Sequence, residues 1–467
     1  MSQRSCGRCY SIKVKCQPGR GHGTCRRCER LGHHCQTARK LRPLGRKPKP
    51  RSPPTYASSI EEPNTDSNTT IPLPPAPATL PYPASDALTL TAHPAETTIL
   101  RYLLDTTSFI PHFIIGPTFA PSMQQSLQTR LSISPQLLRE GFLACAGELA
   151  LQSHHLALPT TLNLTRCATA ICKLRALQPR HLSEVKTMLA LGTAILTYDQ
   201  LAEMEGKRGG GASMVCRYML SQCEPWYARF LSKMPEMDFE MNCLIYLETV
   251  ECIMHRRVPV LRLAVREQGV VDRYVGVCYT LLPLLYNVCV VGNQIKEEGG
   301  WMLADGRRGK WEAVRQAISD WRPTPPSTFM LKYTATEVVC MLTQASVYRQ
   351  LGLLVLHRLR YPFGVEDVAA GVYAEAIFAE CASCFNVAGQ YPFKIGFAIF
   401  VAGIEVLDAG KREGLIATHF GAAAGLYARS HARVRDVWRR VWKERDVRGA
   451  VSWFDIVSTV PEFRYIP

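Results

Sequence analysis

Six cysteines within the first 35 residues, Cys6, Cys9, Cys16, Cys25, Cys28 and Cys35, constrain this chain more than any other feature. They read C-x2-C-x6-C twice, with eight residues between the copies. A C-x2-C pair can turn two thiolates onto one ion at about 2.3 Å, as in structural zinc sites. Two tetrahedral ions need eight ligand positions, so six sulfurs hold two zinc ions only if two cysteines bridge both metals. A competing arrangement is a single four-thiolate zinc site from Cys6, Cys9, Cys25 and Cys28, which leaves Cys16 and Cys35 without a role. A disulfide framework is not expected, because residues 1–35 are dense in Arg, Lys and Cys and do not read as a secretory leader. His33 and His34 are read as bystanders.

Charge is concentrated in the same place. Residues 1–51 contain fifteen Lys and Arg against one acid, Glu29, so this segment holds +14 of the chain's +16. The rest of the 467 residues is close to neutral, with 47% hydrophobic and 20% charged residues overall, the profile of a chain with a large core. A segment this basic calls for a polyanionic partner, nucleic acid or an acidic membrane, and the cysteine spacing favours nucleic acid over a membrane.

Over residues 6–35 the sequence resembles the fungal Zn2Cys6 binuclear cluster transcription factors, whose six cysteines follow this spacing. The resemblance implies two zinc ions held by Cys6, Cys9, Cys16, Cys25, Cys28 and Cys35, with Cys6 and Cys25 as the bridging pair and a short helix after each C-x2-C. It further implies double-stranded DNA as partner, a CGG-type half-site, a nuclear location and regulation of RNA polymerase II genes through the transcription machinery. The family's major-groove lysine falls at Lys13 or Lys15, and a lysine there can donate to guanine O6 and N7. Arg8, Arg20, Arg26 and Arg27 are read as phosphate contacts that add salt-dependent affinity. Tyr10 and Ile12 stand where the family usually has basic residues. An alternative reading keeps the zinc but makes the module a protein-interaction surface on a helical scaffold.

Three regions are expected: the cluster at 1–38, a basic and then Pro/Ser/Thr-rich linker at 39–93, and an all-α regulatory domain at 94–467. Prolines from Pro43 to Pro83 break the linker and no apolar heptad is sustained near it, so a coiled-coil homodimer has no support there, and dimerisation by another surface stays open. Beyond it, long Leu/Ala/Met-rich segments punctuated by Pro and Gly read as helices. Val434, Val437, Trp438, Val441 and Trp442 mark one apolar face, with Arg433, Arg435, Arg439, Arg440 and Lys443 opposite.

Some features carry a blander reading. Cys381 and Cys384 form a C-x2-C inside an apolar helix and are expected to pack in the core. Val275 to Ile295 lacks charge but is interrupted by Pro283, Asn287, Asn293 and Gln294, so a buried helix pair is expected rather than a membrane span. Gly209-Gly210-Gly211 lacks the lysine of a phosphate loop, and His154-His155 has no further ligands in sequence. With no catalytic signature found, an enzyme is not expected.

Overall fold

The protein is described from a computed structural model, which covers residues 17, 25–32, 94–153, 160–204, 211–234, 237–264, 270–298, 305–421, 428–449 and 451–459. It divides into two compact units, Met1–Thr79 and Leu80–Pro467. In the first, the described residues form a single short helix, α1 (Arg26–Arg30).

The second unit is helical, and no strand occurs among its described residues. Its helices are α2 (Pro94–Leu103), α3 (Ala120–Ile133), α4 (Pro135–Gln152), α5 (Thr160–Ala176), α6 (Leu182–Met204), α7 (Ala212–Tyr227) and α8 (Asp238–His255). They continue as α9 (Leu282–Glu297), α10 (Asp305–Asp320), α11 (Phe329–Lys332), α12 (Ala335–Arg360), α13 (Asp367–Ala388), α14 (Gly396–Ile404), α15 (Ala409–Gly421), α16 (Ala428–Arg448) and α17 (Trp453–Ser458). One apolar cluster runs through the unit from Ile99 to Val457, so the helices share a core. The tightest helix pairings are α12 with α13 and α4 with α6 and α5.

Local sequence explains where several helices begin and end. At the start of α12 the Thr334 hydroxyl accepts from Glu337 N, and the Glu337 carboxylate accepts from Thr334 N at 2.9 Å, a reciprocal cap. The same carboxylate accepts from Thr118 N at 2.8 Å and Thr118 Oγ1 at 2.7 Å, which fastens the single-turn helix Pro117–Phe119 to α12. Burial alone would raise the Glu337 carboxyl, but these donors together hold it below its ordinary value. Helix α13 stops at Gly389, whose φ of 70° lets its N–H reach Phe385 O.

Helix α16 buries most of the face its spacing predicts, while Val434 on that face and Arg433 and Arg435 opposite it are half-buried. Val437, Trp438, Val441 and Trp442 are each at most 4% exposed, while Arg439, Arg440 and Lys443 face solvent. The two indoles donate to Phe400 O and Gly403 O on α14 at 2.8 and 3.0 Å. That close approach requires glycine at 403, where any β-carbon would overlap the Trp438 ring.

Arg445, on the same helix, is only 6% exposed. It belongs to a buried charge cluster that joins four elements. Arg358 at the end of α12 donates to Glu405 Oε1 through Nε at 2.9 Å and to Oε2 through Nη2 at 2.6 Å. It also donates to Asp367 Oδ1 at 2.7 Å, and Arg445 Nη2 lies 2.9 Å from Asp367 Oδ2. The Phe363 ring sits beneath both guanidiniums, at 5.0 and 4.3 Å. Burial pushes the Asp367 carboxyl up, but Arg445 and Arg358 outweigh it and hold the group below its usual range.

The charge-free run from Val275 to Ile295 differs from the expected helix pair. Val275–Cys278 completes a turn in which the buried Asp272 carboxylate accepts from Tyr274 N and Val275 N at 2.7 and 2.8 Å; a one-turn 3-10 helix, Tyr279–Leu281, then runs into α9, which has Pro283 in its first turn. The turn's polar backbone is satisfied by one aspartate just outside the run, so no second α-helix is needed there. By length and composition alone, α12 and α13 would suffice to cross a membrane; they pack on each other here, and 72% of the apolar window of α12 is buried.

Candidate functional site

Of the six N-terminal cysteines, Cys25 and Cys28 lie among the described residues, and they sit together at the start of α1. Cys25 is the residue before the helix, with extended backbone at φ −92° and ψ 151°, and its Sγ accepts from Cys28 N at 3.5 Å. The geometry follows from spacing: a residue at the helix cap can accept from the N–H three positions on. Both side chains are buried, at 4% and 2% exposure. Donation of an N–H to sulfur favours a sulfur that carries negative charge, the form a metal takes.

The rest of the helix is built to hold this start. Glu29 N donates to Cys25 O at 3.0 Å and Arg26 N to Gln17 O at 2.9 Å, so the segment after Cys16 is tied to the helix entry. Gly32, at φ 63°, lets the chain leave α1 in the left-handed conformation. Arg26 is exposed and Arg27 half-buried. Cys6, Cys9, Cys16, Cys35, Lys13, Lys15, Arg8 and Arg20 lie outside the described residues, as do His154-His155, His33, His34, Gly209 and Gly210. Gln17 and Gly32 were not singled out from sequence, although a glycine just past a short helical stretch is a recognisable stop signal.

The donor set suits zinc. Two thiols at i and i+3, buried side by side with an N–H already directed at one sulfur, supply half of a tetrahedral thiolate shell. Among the described residues no group of three or more His, Cys, Asp or Glu side chains is gathered for a metal.

The second C-x2-C behaves differently. Cys381 and Cys384 are 1% and 2% exposed within α13, and Cys384 Sγ lies 3.8 Å from Cys340 Sγ on α12. Burial pushes the Cys381 thiol up to about 12 and the Cys384 thiol up to about 11, so both are neutral packing groups near neutral pH.

Comparison with known proteins gives one match. The model of the fungal specific transcription factor domain matches residues 211–461, more than half of the chain, from the start of α7 to just beyond α17. No curated protein and no solved structure matches the chain.

Proposed function

The chain belongs to the fungal specific transcription factor domain family and is a transcription regulator, and from that premise we propose that it binds DNA sequence-specifically through a two-zinc cluster in its N-terminal unit. One observation carries the reading. Upstream of the family-matched helices, Cys25 and Cys28 are buried together at a helix start, with an N–H directed at sulfur, inside a segment that holds +14 of the chain's +16.

In this reading Cys6, Cys9, Cys16, Cys25, Cys28 and Cys35 hold two zinc ions, which supply the folding energy that so short a segment lacks. Lys13 and Lys15 contact guanine edges of a CGG-type half-site in the major groove. Arg8, Arg20, Arg26 and Arg27 neutralise phosphates, which positions the module without reading sequence. The protein then works in the nucleus, where the helical unit passes the signal to the RNA polymerase II machinery.

The test is binding of the full chain to a CGG-containing duplex and to a scrambled duplex, with zinc and after chelation, across a salt series. Zinc-dependent preference for the CGG duplex supports the reading. Equal, zinc-independent binding to both reduces the N-terminal segment to a polycation and returns the protein-interaction alternative.

A further inference from the structure

Two cavities lie side by side in the helical unit, where helices that precede the family-matched segment meet helices within it. The outer one has a volume of about 710 Å³ and runs between α3 and α6. That is within the range of about 300–1,000 Å³ that small-molecule sites occupy. Its charged lining is Arg130, Lys186 and Arg273, with no Asp or Glu among the described residues that line it. Ile133, Leu138 and Met237 supply apolar wall, and the rest is mainly hydroxyl and amide.

The inner cavity, about 70 Å³, is lined largely by apolar and aromatic side chains, Phe109, Phe142 and Phe239 among them. The half-buried Lys394 also lines it. Ser126, Arg130 and Ala190 line both cavities, so the two adjoin at these residues.

Two buried polar atoms in the inner lining are unsatisfied. Glu240 is 4% exposed; one carboxylate oxygen pairs with Arg130 Nη1 at 2.5 Å, and the other, Oε2, has no hydrogen-bond partner. Thr193 Oγ1 has none either. Buried polar groups are satisfied in the large majority of cases, so each of these atoms needs a further partner, water or ligand. Burial raises the Glu240 carboxyl, against the opposing charge of Arg130.

We propose that these adjoining cavities form an effector site for a small amphipathic carboxylic acid. Its carboxylate lies in the outer cavity against Arg130, Lys186 and Arg273, and part of its apolar body enters the inner one past Ser126 and Ala190. The cationic outer lining, in which Arg130 is already paired with Glu240, selects against neutral and cationic amphiphiles of the same length. A polar substituent on the body would meet Glu240 Oε2 and Thr193 Oγ1. The site is independent of the zinc cluster, and its test does not involve DNA.

The experiment is calorimetric titration of the full chain with decanoate, decanol and decyltrimethylammonium, all well below micelle formation. Decanoate is expected to bind one per chain, at least tenfold more tightly than decanol, with no binding of the cation. Lys186→Glu should weaken decanoate at least fivefold while leaving decanol unchanged, a split that a loss of fold would not produce. Ser126→Trp, at a half-buried position shared by both cavities, should weaken decanoate and decanol together. Absence of saturable decanoate binding overturns the proposal, as does equal affinity for decanoate and decanol, or a Lys186→Glu protein that binds decanoate as the unsubstituted chain does.

Discussion

Replacing Glu405 by Gln tests whether the buried charge cluster holds the helical unit together. Glu405 and Arg358 have side chains 0% and 1% exposed, and two hydrogen bonds of 2.9 and 2.6 Å join them. The amide keeps the shape but removes the charge, and its NH2 group must face a guanidinium donor. Each hydrogen bond to a charged group contributes about 1.5–3 kcal/mol, and breaking a buried pair by removing one partner costs about 3–5 kcal/mol. Arg358 retains Asp367 at 2.7 Å, so the lower end applies, about 3 kcal/mol. Urea unfolding of the full chain measures it, followed by far-UV circular dichroism and by tryptophan fluorescence, since Trp438, Trp442 and Trp453 are all buried in this unit. The double substitution Arg358→Met with Glu405→Leu should lose less stability than the two single substitutions added together, because it leaves neither partner as a buried, uncompensated charge. A Glu405→Gln protein within about 1 kcal/mol of the original, or a double variant worse than that sum, refutes the argument.

Glu248 makes stability depend on pH. Burial raises its carboxyl to about 7, opposed by Val260 N and Arg217, so the folded protein holds a proton there that the unfolded chain releases above its ordinary value of 4.5. Its contribution is present below pH 4.5 and is lost as pH rises through about 7, on the order of 3 kcal/mol; denaturation from pH 5 to 7.5 should show the fall, and Glu248→Gln should flatten it. Gly403→Ala should destabilise by about 1–3 kcal/mol or more, since a β-carbon overlaps the Trp438 ring, and a changed unfolding midpoint checks it. Cys25→Ala should reduce bound zinc, read by metal analysis of the purified chain, and abolish zinc-dependent DNA preference while the helical circular dichroism persists. Lys13→Ala should weaken binding to the CGG duplex far more than to a scrambled one, and equal losses on both would remove its base-reading role.

Much of the helical unit is legible in the sequence because burial on a helix leaves a periodic trace. Val437, Trp438, Val441 and Trp442 show it on α16. Arg445 leaves no such trace: among the basic residues of α16 it looks like one more solvated charge, and its burial depends on Asp367 and Glu405, which arrive from other elements. The second role of Glu337, toward Thr118, is hidden for the same reason. The run after Val275 misled because lack of charge indicates burial without specifying helix or turn, and Asp272, which organises the turn, lies outside it. For the candidate site the balance is reversed. Cysteine spacing and the concentration of charge say most of what is known of it, and the structure adds the buried Cys25–Cys28 pair and its N–H···S contact.

The family-matched span starts at residue 211, yet the physical boundary of the unit does not. Arg130 on α3 pairs with Glu240 on α8, Ile115 N donates to Arg273 O at 2.8 Å, and Thr118 donates twice to Glu337. Helix α6 lies so close to α7 that a β-carbon at Gly192 would overlap Met219. Each of these contacts has one partner before residue 211 and one after it, and several are buried polar pairs whose loss would strand a charge or a donor. The helices from α2 to α6 therefore complete the core of the matched segment rather than forming a separate domain. The adjoining cavities open along this same seam, with Arg130 and Lys186 contributed from one side and Glu240, Arg273 and Lys394 from the other. A ligand bound there would touch both parts of the unit at once, so its binding energy would act on their packing directly, without a separate route of transmission.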